Sequence, residues 1–512
     1  MQKNFIMKIL NSAQIRQVDA FTIEHEPISS IDLMERAASK CFDWITAKID
    51  KGRKIKVVCG LGNNGGDGLV IARLLITAGY KIEVFIIRNA EKTSADFKVN
   101  EERLRKLKRK KIIIDVKSIS DLPAFHDGDV IIDAIFGSGL SKPVDGLLAE
   151  VIEHINKCKG YVIAVDLPSG LFSEDNTSNN HKAIVNADIT LTFQLPKLAF
   201  LLPGNYEYVG EWWVLDIGLN TEFIDSFDSP YYFIEEDDAR QMLKQRGKFT
   251  HKGNFGHALL ISGSYGKMGA TVLASEAALR AGAGLVTAHI PRIGYNIIQT
   301  AVPEAMVSLN ATEEFISSVP DISKYNAIAI GPGIDTKGET QKALKLLIQT
   351  SSIPIIFDAD ALNILAENKT WLSFVPKHSI LTPHPKEFER LAGKPANDNE
   401  RLLMQMEFSV KFGVYVIYKG AYTTISAPDG KFFFNSTGNP GMATGGSGDV
   451  HTGILLGLKA CGYSSLETAI LGAYLHGRAG DMAKEQLGEE ALIARDIIDN
   501  LGEAFLSLRY IE

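Results

Sequence analysis

Short apolar runs that alternate with stretches of helical spacing limit, more than any other feature, what this chain can become. Residues 54–60 (K-I-K-V-V-C-G) are apolar and close on glycine. L-V-I-A-R-L-L-I-T-A-G carries helical spacing and stops at Gly79, and residues 81–87 are apolar again. Runs this short between turn residues predict buried strands, and the longer periodic stretch predicts a helix. Residues 130–136, 161–165, 187–193 and 210–214 continue the series. Apolar strands alternating with helices predict a parallel sheet covered on both faces. The series then breaks: Gly218, Asn220, Asp225, Asp228, Ser229 and Pro230 crowd residues 216–232, a composition that marks a boundary. A second series follows. Strands are predicted at 257–262, 285–290, 327–330, 353–358, 379–382 and 415–419, with a helix over 270–281 after the turn G-S-Y-G-K-M-G. The expected fold is two tandem three-layer α/β domains, residues 1–225 and 226–512.

Composition narrows the partners. The 512 residues carry 45% hydrophobic and 22% charged residues and a net charge of −7. An acidic balance argues against nucleic acid as the main partner, because phosphate backbones need basic surfaces. The run E-E-R-L-R-K-L-K-R-K-K at 101–111 is read as a solvated helix face. Cys41, Cys59, Cys158 and Cys461 form no C-x-x-C pair, so neither a zinc ribbon nor a redox dithiol is signalled. No signal peptide or membrane span is read, Met7 is a possible alternative start, and a cytoplasmic setting is expected.

Two glycine-rich turns carry the chemistry. N-N-G-G-D-G, Asn63 to Gly68, joins a strand to a helix. Glycines there permit positive φ and let backbone N–H groups converge on an anion at the positive end of the helix. The alternative is a tight turn held by Asx hydrogen bonds. The run is neither a Walker A sequence nor a correctly spaced G-x-G-x-x-G. Asp133 in D-A-I-F-G-S-G-L and Asp166 in V-D-L-P-S-G stand near the carboxyl ends of predicted strands, the edge where open α/β sheets bind ligands. Asn64, Asp133 and Ser169 are candidate oxygen ligands for a hard cation, and a single carboxylate among them suggests a monovalent one. The second turn, T-G-G-S-G-D-V-H-T-G, opens another helix with Asp449 in its first turn. Asp449 is expected to be ionised there and to accept a proton from a hydroxyl that attacks phosphorus, while backbone groups hold the phosphates. His451 is read as a structural neighbour that alters local pKa values.

N-N-G-G-D-G, D-A-I-F-G-S-G and V-D-L-P-S-G, over about residues 8–218, resemble the NAD(P)H-hydrate epimerases of the YjeF amino-terminal family, which are Rossmann-like. The resemblance implies that Asn63, Asn64, Gly65, Gly66, Asp67, Gly137, Ser138, Gly139, Leu140, Ser141, Lys142, Pro143 and Asp166 contact the hydrated dinucleotide. It further implies that Asn64, Asp133 and Ser169 hold potassium. Asp166 is the candidate that moves a proton at the C6 oxygen. G-G-S-G-D resembles the ribokinase-like kinases. With H-K-G-N-F-G-H, G-S-Y-G-K-M-G-A, G-P-G, D-A-D-A-L-N, T-P-H-P-K-E-F and K-G-A-Y-T, residues 235–508 are similar to the ADP-dependent NAD(P)H-hydrate dehydratases. That likeness implies Ala270, Gly333, His384 and Asp449 for the hydrated dinucleotide. It implies Lys419, Gly420, Ala421, Tyr422, Thr423 and Gly448 for ADP or ATP, with magnesium. The whole chain then resembles a family that repairs hydrated NADH and NADPH, with a homo-oligomer expected. Two alternatives stay open: a small-molecule kinase with an appended nucleotide-binding domain, and a non-catalytic dinucleotide-binding scaffold.

Overall fold

The computed structural model describes residues 6–107 and 112–509. The chain divides into two compact units, Lys8–Ser229 and Pro230–Glu512, the latter taking in Met7 as well. In chain order the strands are β1 Met7–Lys8, β2 Lys54–Cys59, β3 Lys81–Ile87, β4 Ile113–Val116, β5 Val130–Ala134, β6 Tyr161–Val165, β7 Ile189–Phe193, β8 Glu211–Leu215 and β9 Tyr231–Ile234. They continue as β10 His257–Ile261, β11 Leu285–Ile290, β12 Met306–Leu309, β13 Ala327–Ile330, β14 Ile355–Phe357, β15 Ile380–Leu381, β16 Tyr415–Tyr418, β17 Thr424–Ser426 and β18 Phe432–Asn435.

The first unit is a seven-stranded sheet in the order β4-β3-β2-β5-β6-β7-β8, parallel throughout. The order reverses between β2 and β5, a topological switch point whose carboxyl-end crevice is the usual ligand site of such sheets. Alternation along each strand feeds two cores. Ile55, Val57 and Cys59 pack with Leu69, Val70 and Ala72 of the helix Asn63–Thr77. Val58, Phe85, Ile131 and Val162 pack on the opposite face with the helix Gly146–Asn156.

The second unit is an eleven-stranded sheet, β1-β9-β18-β17-β16-β15-β14-β13-β10-β11-β12. It is antiparallel where β17 meets β16 and β18, and parallel from β16 through β12. Leu260, Val286, Ala329 and Ile356 face the helices Met268–Arg280 and Ser447–Ala460, while Leu259, Ile328, Ile355 and Phe357 face the other layer. The hairpin β17–β18, the edge strands β4 and β12, and the pair β1 and β9 add to the predicted strands. Of the basic run, Glu101–Arg105 ends the helix Ala95–Arg105 with Arg105 paired to Glu101; residues 108–111 lie outside the described residues.

Candidate active sites

In the first unit β2 ends two residues short of Leu61, and the helix starts at Asn63. N-N-G-G-D-G is therefore the opening of the helix, not a loop ahead of it. Gly65, Gly66 and Gly68 do not adopt positive φ, so the expected reason for them is corrected. They are glycine because the helix lies hard against its surroundings. A Cβ on Gly65 would collide with the Gly60 carbonyl oxygen, one on Gly66 would stand 2.7 Å from Met34 Sδ, and one on Gly68 2.6 Å from Ala134 Cβ. Gly62, the N-cap, has no side chain to occupy the positive end of the helix. Asn63 is exposed, while Asn64 and Asp67 are buried. Burial first, then the Asp166, Asp19 and Asp96 charges, push the Asp67 carboxyl well above its ordinary range.

Asp133 and Ser169 are locked together. Ser169 donates its N–H to Asp133 Oδ2 at 2.7 Å and its hydroxyl to Oδ1 at 2.6 Å, and its Oγ accepts the Phe136 N–H at 2.8 Å. Burial nevertheless raises the Asp133 carboxyl to about 6, the Ser169 and Ile135 donors opposing it. Asn64 Nδ2 is buried without a hydrogen-bond partner among the described residues. Asp166, at the end of β6, sits in the left-handed region at φ 66°. Its Oδ2 accepts the Ser138 N–H at 2.9 Å and its Oδ1 lies 3.2 Å from Lys197 Nζ. A Cβ on Gly137 would fall 2.9 Å from Asp166 Oδ2 and 3.1 Å from Asn64 Oδ1, so the loop backbone closes on both. Leu140 turns back on Gly137, and Gly139, Ser141, Lys142 and Pro143 are exposed. Burial would raise the Asp166 carboxyl, but Lys197 and the Ser138 hydrogen bond outweigh it and hold it low.

In the second unit the helix Ser447–Ala460 follows Gly446, the one residue of the run Gly445, Gly446, Gly448 with positive φ, 92°. Its glycines Gly453 and Gly457 lie against the Ala274 and Ala278 carbonyl oxygens of the helix Met268–Arg280, where a Cβ would collide. Under the helix start lies Asp358, at the end of β14 and buried. It accepts from Lys419 Nζ and Thr382 Oγ1 on Oδ1 and from Thr452 Oγ1 on Oδ2, each at 2.7 Å. Burial opposes its charge, and Lys419 with the two threonines overcomes it. Gly448 passes so near that a Cβ would stand 3.3 Å from Lys419 Nζ.

Asp449 departs from expectation. Burial first, then the Asp358 charge, raises its carboxyl to about 7, with Lys419 opposing and Asp360 adding. The helix end does not keep it fully ionised at neutral pH. His451 is not among the groups that shift it: its ring stacks on His476 at 4.9 Å, and burial keeps it neutral. Gly333, at φ 64°, sits where a Cβ would be 3.0 Å from Lys267 and 3.5 Å from Ala270, so these three converge. His384 caps the helix Pro385–Ala392. Its Nδ1 accepts the Lys386 N–H at 3.2 Å, which places the proton on Nε2, 3.3 Å from Glu387 Oε1. Burial, then Lys419 and Arg390, lower its pKa, so it is neutral. After β16 the chain turns through Gly420, Ala421, Tyr422 and Thr423, with Thr423 Oγ1 donating to the Gly420 carbonyl at 3.1 Å.

Residues 258–502 match the sequence model of the NAD(P)H-hydrate dehydratases, and residues 30–199 that of the YjeF-related protein N-terminus. A protein of Moorella thermoacetica named bifunctional NAD(P)H-hydrate repair enzyme Nnr is 37% identical over 97% of this chain and 96% of its own length. This chain belongs to the bifunctional NAD(P)H-hydrate repair enzymes. The Escherichia coli K12 relative of the same name is 32% identical over 92% of this chain and 88% of its own. A solved ADP/ATP-dependent NAD(P)H-hydrate dehydratase from Bacillus subtilis, co-crystallised with ATP and Mg2+, is 30% identical, covering 54% of this chain and 98% of its own, with a TM-score of 0.47. In the repair enzyme the epimerase half is N-terminal and the dehydratase half C-terminal. Asp358 and Lys267 fall inside the motifs D-A-D-A-L-N and G-S-Y-G-K-M-G-A without a role of their own, and Lys197 and Asp19 fall outside every motif. Lys197 and Asp358 stand at or just beyond strand ends, the position that singled out Asp133 and Asp166; Asp19 lies in the helix Ser12–His25 with no such signal. A cavity of about 300 Å3 lined by Trp44, Tyr161, Glu211 and Trp213 opens at the amino ends of β6 and β8, the edge away from these sites.

Proposed function

We propose that the unit Lys8–Ser229 interconverts the R and S epimers of NADH or NADPH hydrated at C6. The unit Pro230–Glu512 returns the S epimer to NADH or NADPH at the expense of ADP or ATP. One observation supports this most: each unit sets a carboxylate beside a glycine-capped helix start at the carboxyl edge of its sheet, and the two carboxylates are tuned differently. Asp166 is held ionised, and Asp449 is poised near neutrality.

C6 of the hydrated ring bears both a hydroxyl and the ring nitrogen. Asp166, as base, takes the hydroxyl proton and delivers it to N1 as the C6–N1 bond opens to an aldehyde; reclosure on the other face reverses the transfer and inverts C6. Asn63, the helix start through Asp67, and the loop Gly137 to Pro143 would hold the dinucleotide. Because Asn64 and Asp67 are buried, the helix start would bind through its backbone N–H groups. Asn64, Asp133 and Ser169 would suit potassium: one buried carboxylate, a hydroxyl oxygen and an amide whose buried nitrogen has no partner among the described residues, so that a rotated amide would offer oxygen instead. Potassium there would supply charge balance for Asp133.

In the dehydratase half Asp449 accepts the C6 hydroxyl proton as that oxygen takes the phosphoryl group. Phosphate then leaves as C5 loses a proton, which restores the dihydropyridine. A base with a pKa near the working pH suits the first step. Ala270, Gly333 and His384 would position the hydrate, His384 donating from Nε2. Lys419, Gly448 and the turn through Gly420, Ala421, Tyr422 and Thr423 would hold the adenine nucleotide. Magnesium would come carried on the phosphates of the adenine nucleotide. The test is stoichiometry. With ADP, one AMP and one phosphate should appear per NADH recovered; a stable phosphorylated hydrate would support the kinase alternative instead.

A further inference from the structure

Lys197 touches the carboxylate that the epimerase reading uses, although that reading assigns it nothing. It follows β7 in F-Q-L-P-K-L and is 1% exposed. A lysine so deep needs an acceptor for every proton. Its Nζ donates to Thr192 Oγ1 at 2.8 Å, the Leu195 carbonyl at 3.0 Å and the Phe193 carbonyl at 3.2 Å, and lies 3.2 Å from Asp166 Oδ1. The backbone bends sharply to bring it there. Gln194 is left-handed at φ 60°, and its Oε1 accepts the Ile217 and Leu219 N–H groups, both at 3.1 Å. Asp166 on the neighbouring strand is left-handed too. Two such residues at adjacent strand ends are strained and persist where the surroundings fix them.

The two oxygens of Asp166 are thereby made unlike. Oδ1 faces Lys197 and Thr192, whereas Oδ2 accepts the Ser138 N–H from the loop that begins at Gly137. Resting on the epimerase reading, we infer that Lys197 is a positioning residue: its buried ammonium fixes Oδ1 and leaves Oδ2 as the oxygen that exchanges a proton with the C6 hydroxyl. The proton taken from the hydroxyl passes to N1 as C6–N1 opens and comes back through the same carboxylate as the bond closes, so no further reactant is required.

The surroundings show why a cation is needed. Asp19 of the helix Ser12–His25, Asp67 of the helix Asn63–Thr77 and the Cys41 thiol of the helix Ser30–Lys48 all feel the Asp166 charge. Burial, then Asp166, raises Asp19 to about 6, with Lys197 opposing. Without Lys197 a proton would settle among Asp166, Asp19 and Asp67, and the base would be lost as pH falls.

The experiment follows R-to-S exchange by chromatography from pH 5 to 9 in the full chain and its Lys197→Met variant, with ADP-driven dehydration of the S epimer as the control for an intact protein. The expected result is a kcat for exchange lowered by roughly 100-fold at pH 7, KM changed less than about twofold, and an acidic limb displaced upward by about one pH unit or more. Dehydration should be unchanged. Thr192→Val, which removes one partner of both groups, should displace the limb the same way by less, and serves if Lys197→Met does not fold. An acidic limb that stays in place in these variants, with or without a fall in kcat, overturns the inference. Absence of exchange in the unsubstituted chain overturns the epimerase reading and takes this inference with it.

Discussion

Asp449 carries both the chemistry and a cost. Its folded-state pKa of about 7 lies above the ordinary 3.8. Between those values the folded chain binds more protons than the unfolded one, so stability present at low pH is lost as pH rises through about 7. Asp449→Asn should remove the penalty. Calorimetric melts should show a larger stabilisation at pH 8 than at pH 5, by no more than about 3 kcal/mol for a shift of this size, while dehydration falls by at least about 100-fold. In the unsubstituted chain kcat/KM for dehydration should climb through about pH 7 and then level; a flat profile from pH 5 to 8 would remove Asp449 as the base. Thr452→Val leaves Asp358 Oδ2 without its hydroxyl donor. A cost of about 1.5–3 kcal/mol is expected in denaturant titration, and no change would mean Asp358 is satisfied another way. Asp358 was hard to assign from sequence because its donors come from positions 382, 419 and 452 and meet only in the fold.

The helix starts show where sequence and packing part ways. Asn and Gly in N-N-G-G-D-G carry turn chemistry locally, yet the helix begins at Asn63 because its glycines let it lie against Gly60 and Ala134. Close approach leaves the same local signal as backbone freedom, so the sequence could not separate the two. Gly65→Ala and Gly453→Ala should each cost at least about 1–3 kcal/mol by overpacking, read as lowered melting temperatures, whereas Gly445→Ala, with open space around it, should fold normally. Equal tolerance at all three would refute close packing as their reason. The long apolar strands were legible from periodicity, including β3, β6, β11 and β13 to the residue. The hairpin β17–β18 was legible in principle, since A-P-D-G turns the chain between apolar runs. The two-residue β1 is a strand only through its neighbour's hydrogen bonds, whereas β15 falls inside the predicted run 379–382.

At the scale of the molecule, the strand order locates what the motifs only suggested. The switch point between β2 and β5 gathers the helix start at Asn63 and the end of β5 at Asp133, with Asp166 one strand further on. In the other unit Asp358, Lys419 and the helix start at Ser447 meet above the ends of β14 and β16. The division of labour between two separate sites, an epimerase feeding only one epimer to a dehydratase, is the central claim. It is tested by supplying hydrated NADH as a mixture of both epimers, with ADP and magnesium, and following absorbance at 340 nm. The unsubstituted chain should recover all the NADH. Asp166→Asn should stop at the S epimer's share, and Asp449→Asn should recover none while R and S still exchange. Full recovery by Asp166→Asn at the unsubstituted rate, or loss of exchange in Asp449→Asn, would contradict two sites with separate tasks.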